Sequence, residues 1–144
     1  VTAGHPDILV LREGGRIEPF NHAVAYPPPY VPRALTFEVP ERVMASGEVR
    51  TPLDESAVAR IAAELAARGV EAIAVSLLWS CVNPAHEAAV GRILAAHLPG
   101  VPVTLSHALN PSIREYRRTI AAAIDASLKP LMNRYLGTLS SALR

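Results

Sequence analysis

Glu71-Ala72-Ile73-Ala74-Val75-Ser76-Leu77-Leu78-Trp79 is the stretch that decides the fold. It is short and nearly continuous in apolar residues, as a strand covered on both faces is. Upstream lies a helix: Asp54 is a capping residue, Val58, Ile61, Ala62 and Leu65 form one apolar stripe, and Gly69 stands where a C-terminal cap belongs. Downstream, Asn83-Pro84 starts a second helix, with asparagine as cap, proline at the first helical position, Val90, Ile93, Leu94 and Leu98 inward, and Pro99-Gly100 as the stop. Val101-Pro102-Val103-Thr104-Leu105-Ser106 is the next strand, its proline suited to the first residues or to an edge. Asn110-Pro111 repeats the cap-and-proline start and launches a helix whose inward stripe is Ile113, Tyr116, Ile120, Ile124 and Leu128. Pro130 is expected to kink or divide it, with Leu131, Tyr135, Leu136, Leu139 and Leu143 continuing the stripe.

Helix, strand, helix, strand, helix with short loops is the pattern of parallel strands joined by crossovers. The expected fold class is α/β: a layered fold with a partly parallel sheet, a β-hairpin near the N-terminus and long C-terminal helices. The hairpin is read from the alternation through Leu35-Thr36-Phe37-Glu38-Val39, then Glu41-Arg42-Val43, a Ser46-Gly47 turn and Glu48-Val49-Arg50. Before it, Asp7 to Arg12 reads as a short strand or a turn of helix ended by Glu13-Gly14-Gly15, and the four prolines of Tyr26-Pro27-Pro28-Pro29-Tyr30-Val31-Pro32 make a rigid extended connector. Val1-Thr2-Ala3-Gly4 reads as the end of a strand entering a glycine turn, from which upstream sequence is expected. Residues 1–144 are expected to be one domain fragment: 1–50 irregular plus hairpin, 51–110 the helix-strand core, 111–144 the C-terminal helices.

Composition narrows the function. Fourteen Lys and Arg face thirteen Asp and Glu, so the chain generates no field that selects nucleic acid or an anionic membrane. The excess of base over acid in residues 111–144 is that of a solvated helix face. Cys81 is the sole cysteine, which leaves no intrachain disulfide, makes the cytoplasm the default compartment, and reads as a packed thiol rather than a nucleophile. No apolar run approaches the roughly 18 residues that cross a bilayer, and the first residues do not read as a signal peptide. Phosphate-cradling Gly-x-x-x-x-Gly-Lys, Gly-x-Gly-x-x-Gly and Gly-x-Ser-x-Gly sequences are all missing.

If the strands ending near Trp79 and Ser106 are parallel neighbours, both Asn-Pro starts lie beyond their carboxyl ends, where open α/β sheets bind ligands. That candidate substrate-cleft edge comprises Asn83, His86, Glu87, His107, Asn110, Arg114, Glu115, Tyr116 and Arg117. Free helix amides there suit a carboxylate or phosphate. A purely structural reading stands beside this one: Asn-Pro is an ordinary helix start, Glu87 complements a helix dipole, and Arg114 with Glu115 is solvated or paired. His86 and Glu87 are adjacent, unlike the His-Glu-x-x-His zinc arrangement, so no metal site is expected in the chain.

Four ordered motifs carry a resemblance: Val1-Thr2-Ala3-Gly4-His5-Pro6-Asp7; Pro32-Arg33 with Glu38-Val39-Pro40-Glu41-Arg42; Asn83-Pro84-Ala85-His86-Glu87; and Asn110-Pro111-Ser112-Ile113-Arg114-Glu115-Tyr116-Arg117-Arg118. Together they resemble the hydantoinase A/oxoprolinase family, which includes N-methylhydantoinases, 5-oxoprolinases and acetone and acetophenone carboxylase subunits. The resemblance implies part of an actin, hexokinase and Hsp70-like nucleotide-binding domain. It implies a parent enzyme that uses ATP and Mg2+ to activate a lactam, imide or ketone, together with a hydantoinase B-type subunit or region. The family's glycine-rich phosphate segments would lie before Val1 and after Arg144, so this segment is expected to be an inactive scaffold that does not itself hold ATP. Thr119 is followed by Ile120, three alanines, Ile124 and Asp125, where many relatives are rich in threonine and serine, a departure that bears on substrate class.

Overall fold

The computed structural model describes residues 1–13, 18, 20, 21 and 23–143. Gly14-Gly15, expected to end the first element, lies outside these residues. Asp7 is followed by a single helical turn, α1 (Ile8–Leu11). A 3-10 turn at Arg33–Leu35 replaces the first part of the alternating segment expected through Val39. Its cause is local: the Leu35 amide donates to Pro32 at 2.8 Å while Arg33 Nε reaches Asp7 at 2.8 Å. Val39 still pairs, through an isolated parallel bridge to Thr2, so the strand-end reading of the first residues holds there.

The hairpin is β1 (Arg42–Val43) and β2 (Val49–Thr51), antiparallel, with Gly47 at φ +84°. A side chain at Gly47 would be strained by that φ and would also meet Val82 Cγ1 at 3.3 Å. Helix α2 (Glu55–Ala67) begins as expected, the Asp54 carboxylate accepting from the Ala57 amide at 2.9 Å. Its Val58, Ala62 and Leu65 are buried. Strand β3 (Ile73–Val75) is shorter than the apolar stretch that contains it, because the chain turns at Trp79, which adopts φ +55°. Helix α3 (Ala85–His97) follows, with Pro84 just before its first residue and Asn83 Oδ1 accepting from the Ala85 amide at 3.1 Å.

Strand β4 (Val103–Leu105) pairs parallel with β3, Ile73 opposite Val103 and Val75 opposite Leu105. Alternation sorts the two faces. Ile73, Val75, Val103 and Leu105 pack with Val58, Leu65, Val90 and Leu94 of α2 and α3, whereas Ser76 and Thr104 bond to the last helix. Gly91 permits the close approach of α3 to β4, since a Cβ there would sit 3.0 Å from Leu105 Cδ2. The result is a layered α/β unit with one parallel and one antiparallel two-stranded sheet.

Three expectations for the C-terminal part need correction. Asn110-Pro111 does not launch the helix: a short turn, α4 (Ser106–Leu109), ends at extended Asn110, and α5 (Glu115–Ala142) starts after Arg114. Of the two outcomes expected at Pro130, division does not occur, since α5 runs continuously through it. The buried face of α5 is Arg118, Thr119, Ala122, Ala123 and Ala126, not the Ile113-to-Leu128 stripe. Ile113, Ile124 and Leu128 are exposed, while Tyr116 and Ile120 line a hollow together with Leu9 of α1. Small residues let the helix axis approach the sheet, and that outweighed the pull of larger apolar groups.

Strand β3 is also less covered than its composition led us to expect. Ala74 is exposed between two buried neighbours, and a cavity of about 340 Å³ runs along residues 72–76, bounded by Phe37, Val58 and Ala123 among others.

Candidate functional site

Glu87 is the centre of the edge beyond β3 and β4. It sits in the first turn of α3 and is fully buried. Its Oε1 accepts from the Leu77 amide at 3.0 Å and from Ser106 Oγ at 2.7 Å, and its Oε2 accepts from the His107 amide at 2.9 Å and from His107 Nδ1. One side chain therefore ties the end of β3 to the end of β4. Each carboxyl oxygen is thus met by two donors, as a buried polar group requires.

Arg118 lies on the other side of the same serine and is only 1% exposed. Its Nε donates to Ser106 Oγ at 3.2 Å and its Nη2 to the Leu77 carbonyl at 2.9 Å, with the Ser112 carbonyl taking Nη1. Ser106 thus donates to Glu87 and accepts from Arg118, placing opposite charges on one buried hydroxyl. Ser80 Oγ lies 3.4 Å from Ser106 Oγ, and Ser76 Oγ lies 2.8 Å from Thr119 Oγ1.

A second histidine–carboxylate pair stands next to the first. His86 Nδ1 lies 2.8 Å from Glu41 Oε2, whose other oxygen accepts from Thr2 Oγ1, and Thr2 Oγ1 in turn accepts from the Leu78 amide at 2.9 Å. Both carboxylates are inaccessible, whereas the side chains of His86 and His107 retain 12% and 20% exposure. The loop between β3 and α3 is held by Trp79, whose carbonyl accepts from Val82 at 2.9 Å and Asn83 at 3.0 Å. Its left-handed backbone costs about 1–2 kcal/mol. Asn83 Nδ2 fastens that loop to the hairpin at the Gly47 carbonyl, 2.8 Å away.

The predicted edge residues divide accordingly. His86 with Glu41 and His107 with Glu87 make two histidine–carboxylate pairs, and Asn83 fastens the loop before them to the hairpin. Asn110 only closes α4, its amide donating to Ser106 at 3.0 Å. Arg114 and Arg117 turn to Glu13, Arg117 Nε at 2.7 Å, and these hydrogen bonds, Arg117 first and then Arg114, hold the Glu13 carboxyl below its usual pKa. Glu115 opens α5, and Tyr116 lines a separate shallow hollow beside Leu9 and Tyr30. Sequence reasoning missed Thr2, Glu41, Ser106 and Arg118 as members of this edge. Only Arg118 had a usable signal, since it shares the 118, 122, 126 spacing with two alanines.

Arg114, Arg117 and Arg118 all have protein partners, and Glu87 offers a metal no free oxygen. Among the described residues no group of three or more His, Cys, Asp or Glu is arranged to hold a metal ion.

Comparison with known proteins gives this edge its context. Residues 1–98 match the family described as the hydantoinase/oxoprolinase N-terminal region. The chain belongs to the hydantoinase/oxoprolinase family. It is 36% identical over 137 residues to the caprolactamase subunit alpha of Pseudomonas jessenii, covering 94% of this chain and 20% of that protein. It is 39% identical over 156 residues to the acetophenone carboxylase gamma subunit of Aromatoleum aromaticum (strain DSM 19018 / LMG 30748 / EbN1), covering 99% of this chain and 21% of that one. The crystal structure of the ATP-dependent caprolactamase from Pseudomonas jessenii superposes with a TM-score of 0.86 at 35% identity, over 98% of this chain and 21% of that chain. The chain thus spans about a fifth of the length of these relatives. Among the described residues no helix is long and apolar enough to cross a membrane.

Proposed function

We propose that this chain is a segment of an ATP-dependent hydrolase that opens a cyclic amide or imide, and that the segment supplies scaffold and one wall of the substrate cleft. The observation that carries this reading is the likeness to ATP-dependent caprolactamase across 98% of the chain. The wall is the edge holding His86, Glu87 and His107, where two loops and a helix N-terminus are locked together by buried carboxylates. In this proposal the segment is part of an actin, hexokinase and Hsp70-like domain of a cytoplasmic enzyme. ATP and Mg2+ are held by other parts of the full-length protein, and a hydantoinase B-type subunit or region completes it.

Ketone carboxylation is the second reading, favoured by the 39% identity to an acetophenone carboxylase subunit. The two separate by product. The full-length protein with its partner subunit is incubated with ATP, Mg2+ and a hydantoin, oxoproline, caprolactam or a ketone, with and without bicarbonate. A ring-opened amino acid formed without bicarbonate is the expected result, whereas a new carboxylate that requires bicarbonate would replace hydrolysis by carboxylation. A protein-interaction role without catalysis draws on the exposed Leu131, Tyr135, Leu136 and Leu139. ATP-dependent turnover abolished by deleting this segment would count against it.

A further inference from the structure

We propose that His107 is the hydrogen-bond-accepting ligand contact of this edge, with Glu87 as the positioning residue that fixes its tautomer, and that the group it meets is the ring N–H of a cyclic amide or imide. The inference rests on the hydrolase reading above and assigns one residue within it.

The hydrogen bonds determine which nitrogen is free. As a carboxylate Glu87 can only accept, so His107 Nδ1, in contact with Oε2, carries a hydrogen. In the neutral ring the lone pair is then on Nε2. Every other oxygen contact of Glu87 comes from Leu77, Ser106 or the His107 backbone, which leaves neither the carboxylate nor the ring a second arrangement. Among the described residues Nε2 has no protein partner. The Glu87 side chain is fully buried while His107 keeps 20% exposure, so the imidazole is gripped at its inner nitrogen and open at its outer one. Its position follows the last residue of β4, beyond the carboxyl end of the parallel pair. A buried carboxylate in contact with Nδ1 orients the ring and fixes which nitrogen faces outward. His86 with Glu41 repeats the arrangement, but His86 is less exposed. A fixed lone pair selects a ligand that donates. A lactam or imide ring nitrogen carries such a hydrogen, and a ketone has none.

The test uses the full-length protein with its partner subunit. Diethyl pyrocarbonate, which acylates an unprotonated imidazole nitrogen, is applied with and without a saturating cyclic amide, and peptides are mapped by mass. His107 is expected to be labelled in the free protein and protected by the N–H substrate but not by its N-methyl form. His97, whose Nδ1 faces the Ile93 carbonyl at 2.9 Å on the far end of α3, is expected to be labelled equally in all cases. In His107→Asn the side-chain amide can still donate to Glu87, so folding is retained, and kcat/KM for the N–H substrate is expected to fall about 5- to 150-fold. Labelling of His107 that a turned-over substrate leaves unchanged, or H107N with undiminished kcat/KM, would overturn the proposal while the hydrolase reading stood. A wild-type protein that acts only on ketones would overturn the hydrolase reading, and the N–H contact with it. The orientation of His107 is then decided separately by E87Q: slower labelling than wild type supports it, and equal labelling overturns it.

Discussion

The two halves of α5 belong to one continuous helix yet solve opposite problems. From Glu115 to Ser127 the inward face is small or polar, and five of its residues are buried against β3, β4 and α4. From Leu131 to Leu143 every residue is exposed, including four leucines and a tyrosine. Hydropathy alone would reverse this order. The difference teaches that burial on this helix follows how closely the backbone can approach the sheet and how completely polar groups are met, not how apolar the side chains are. The Asp125–Lys129 clasp marks the boundary, with Lys129 Nζ 2.9 Å from Asp125 Oδ2 and both bonded to Thr104.

The strongest way to break the packed half is to remove its charge. Arg118→Met keeps volume but leaves the Leu77 and Ser112 carbonyls without their donor and Glu87 without the opposite charge beyond Ser106. Leaving a buried charge uncompensated costs about 3–5 kcal/mol. Hydrogen exchange in the full-length protein should show β3 and the first half of α5 losing protection by that amount. A variant with unaltered protection would mean that Arg118 is not what secures this half.

Close approach is tested next. Ala122→Leu should destabilise by about 1–3 kcal/mol, because that side chain is wholly buried and overpacking forces the helix off the sheet. The matching change in the other half, Gly137→Ala, meets nothing within 4 Å and should stabilise the helix by about 0.5–1 kcal/mol. Opposite signs for two added side chains on one helix, read as exchange protection of α5, would uphold the comparison. Equal signs would remove it.

Much of the fold was legible because it is locally coded. Asp54 caps α2, Gly47 turns the hairpin, and the apolar run around Val75 announces a strand whose parallel partner follows one helix later. The face of α5 was not legible, since Ile113, Ile124 and Leu128 fit a helical stripe as well as any buried set does. What decided against them is the depth of the groove they would have to fill, which residues 115–127 do not encode. The candidate edge was half legible. Asn83, His86, Glu87 and His107 were placed together by the parallel-strand argument, but the partners that give them meaning lie far along the chain: Glu41 is 45 residues from His86, and Ser106 is 19 from Glu87. Arg114 and Arg117 left the edge because Glu13, about a hundred residues earlier, competes for them.

The boundary between the halves responds to pH. Hydrogen bonds from Thr104 and then Lys129 hold the Asp125 carboxyl below its ordinary value of 3.8. A depressed carboxyl contributes stability that is present above the unfolded pKa and disappears as pH falls through the folded one. Asp125→Asn should therefore reduce protection of Thr104 and its neighbours by a constant amount above about pH 5, with the gap to wild type closing in acid. A gap that widened on acidification would contradict the assignment.

The smallest effect is expected where apolar content is highest. Leu136→Ser and Tyr135→Ser alter side chains that are 52% and 60% exposed. Surface changes of this kind fall within about 0.5 kcal/mol, so exchange protection of β3, β4 and α2 in the full-length protein should match wild type. The contrast with Arg118→Met is the point: a hydrophilic side chain in the first half outweighs an apolar one in the second. Loss of core protection in L136S comparable to that in R118M would mean that the two halves of α5 are one cooperative unit, and the distinction between them would fall.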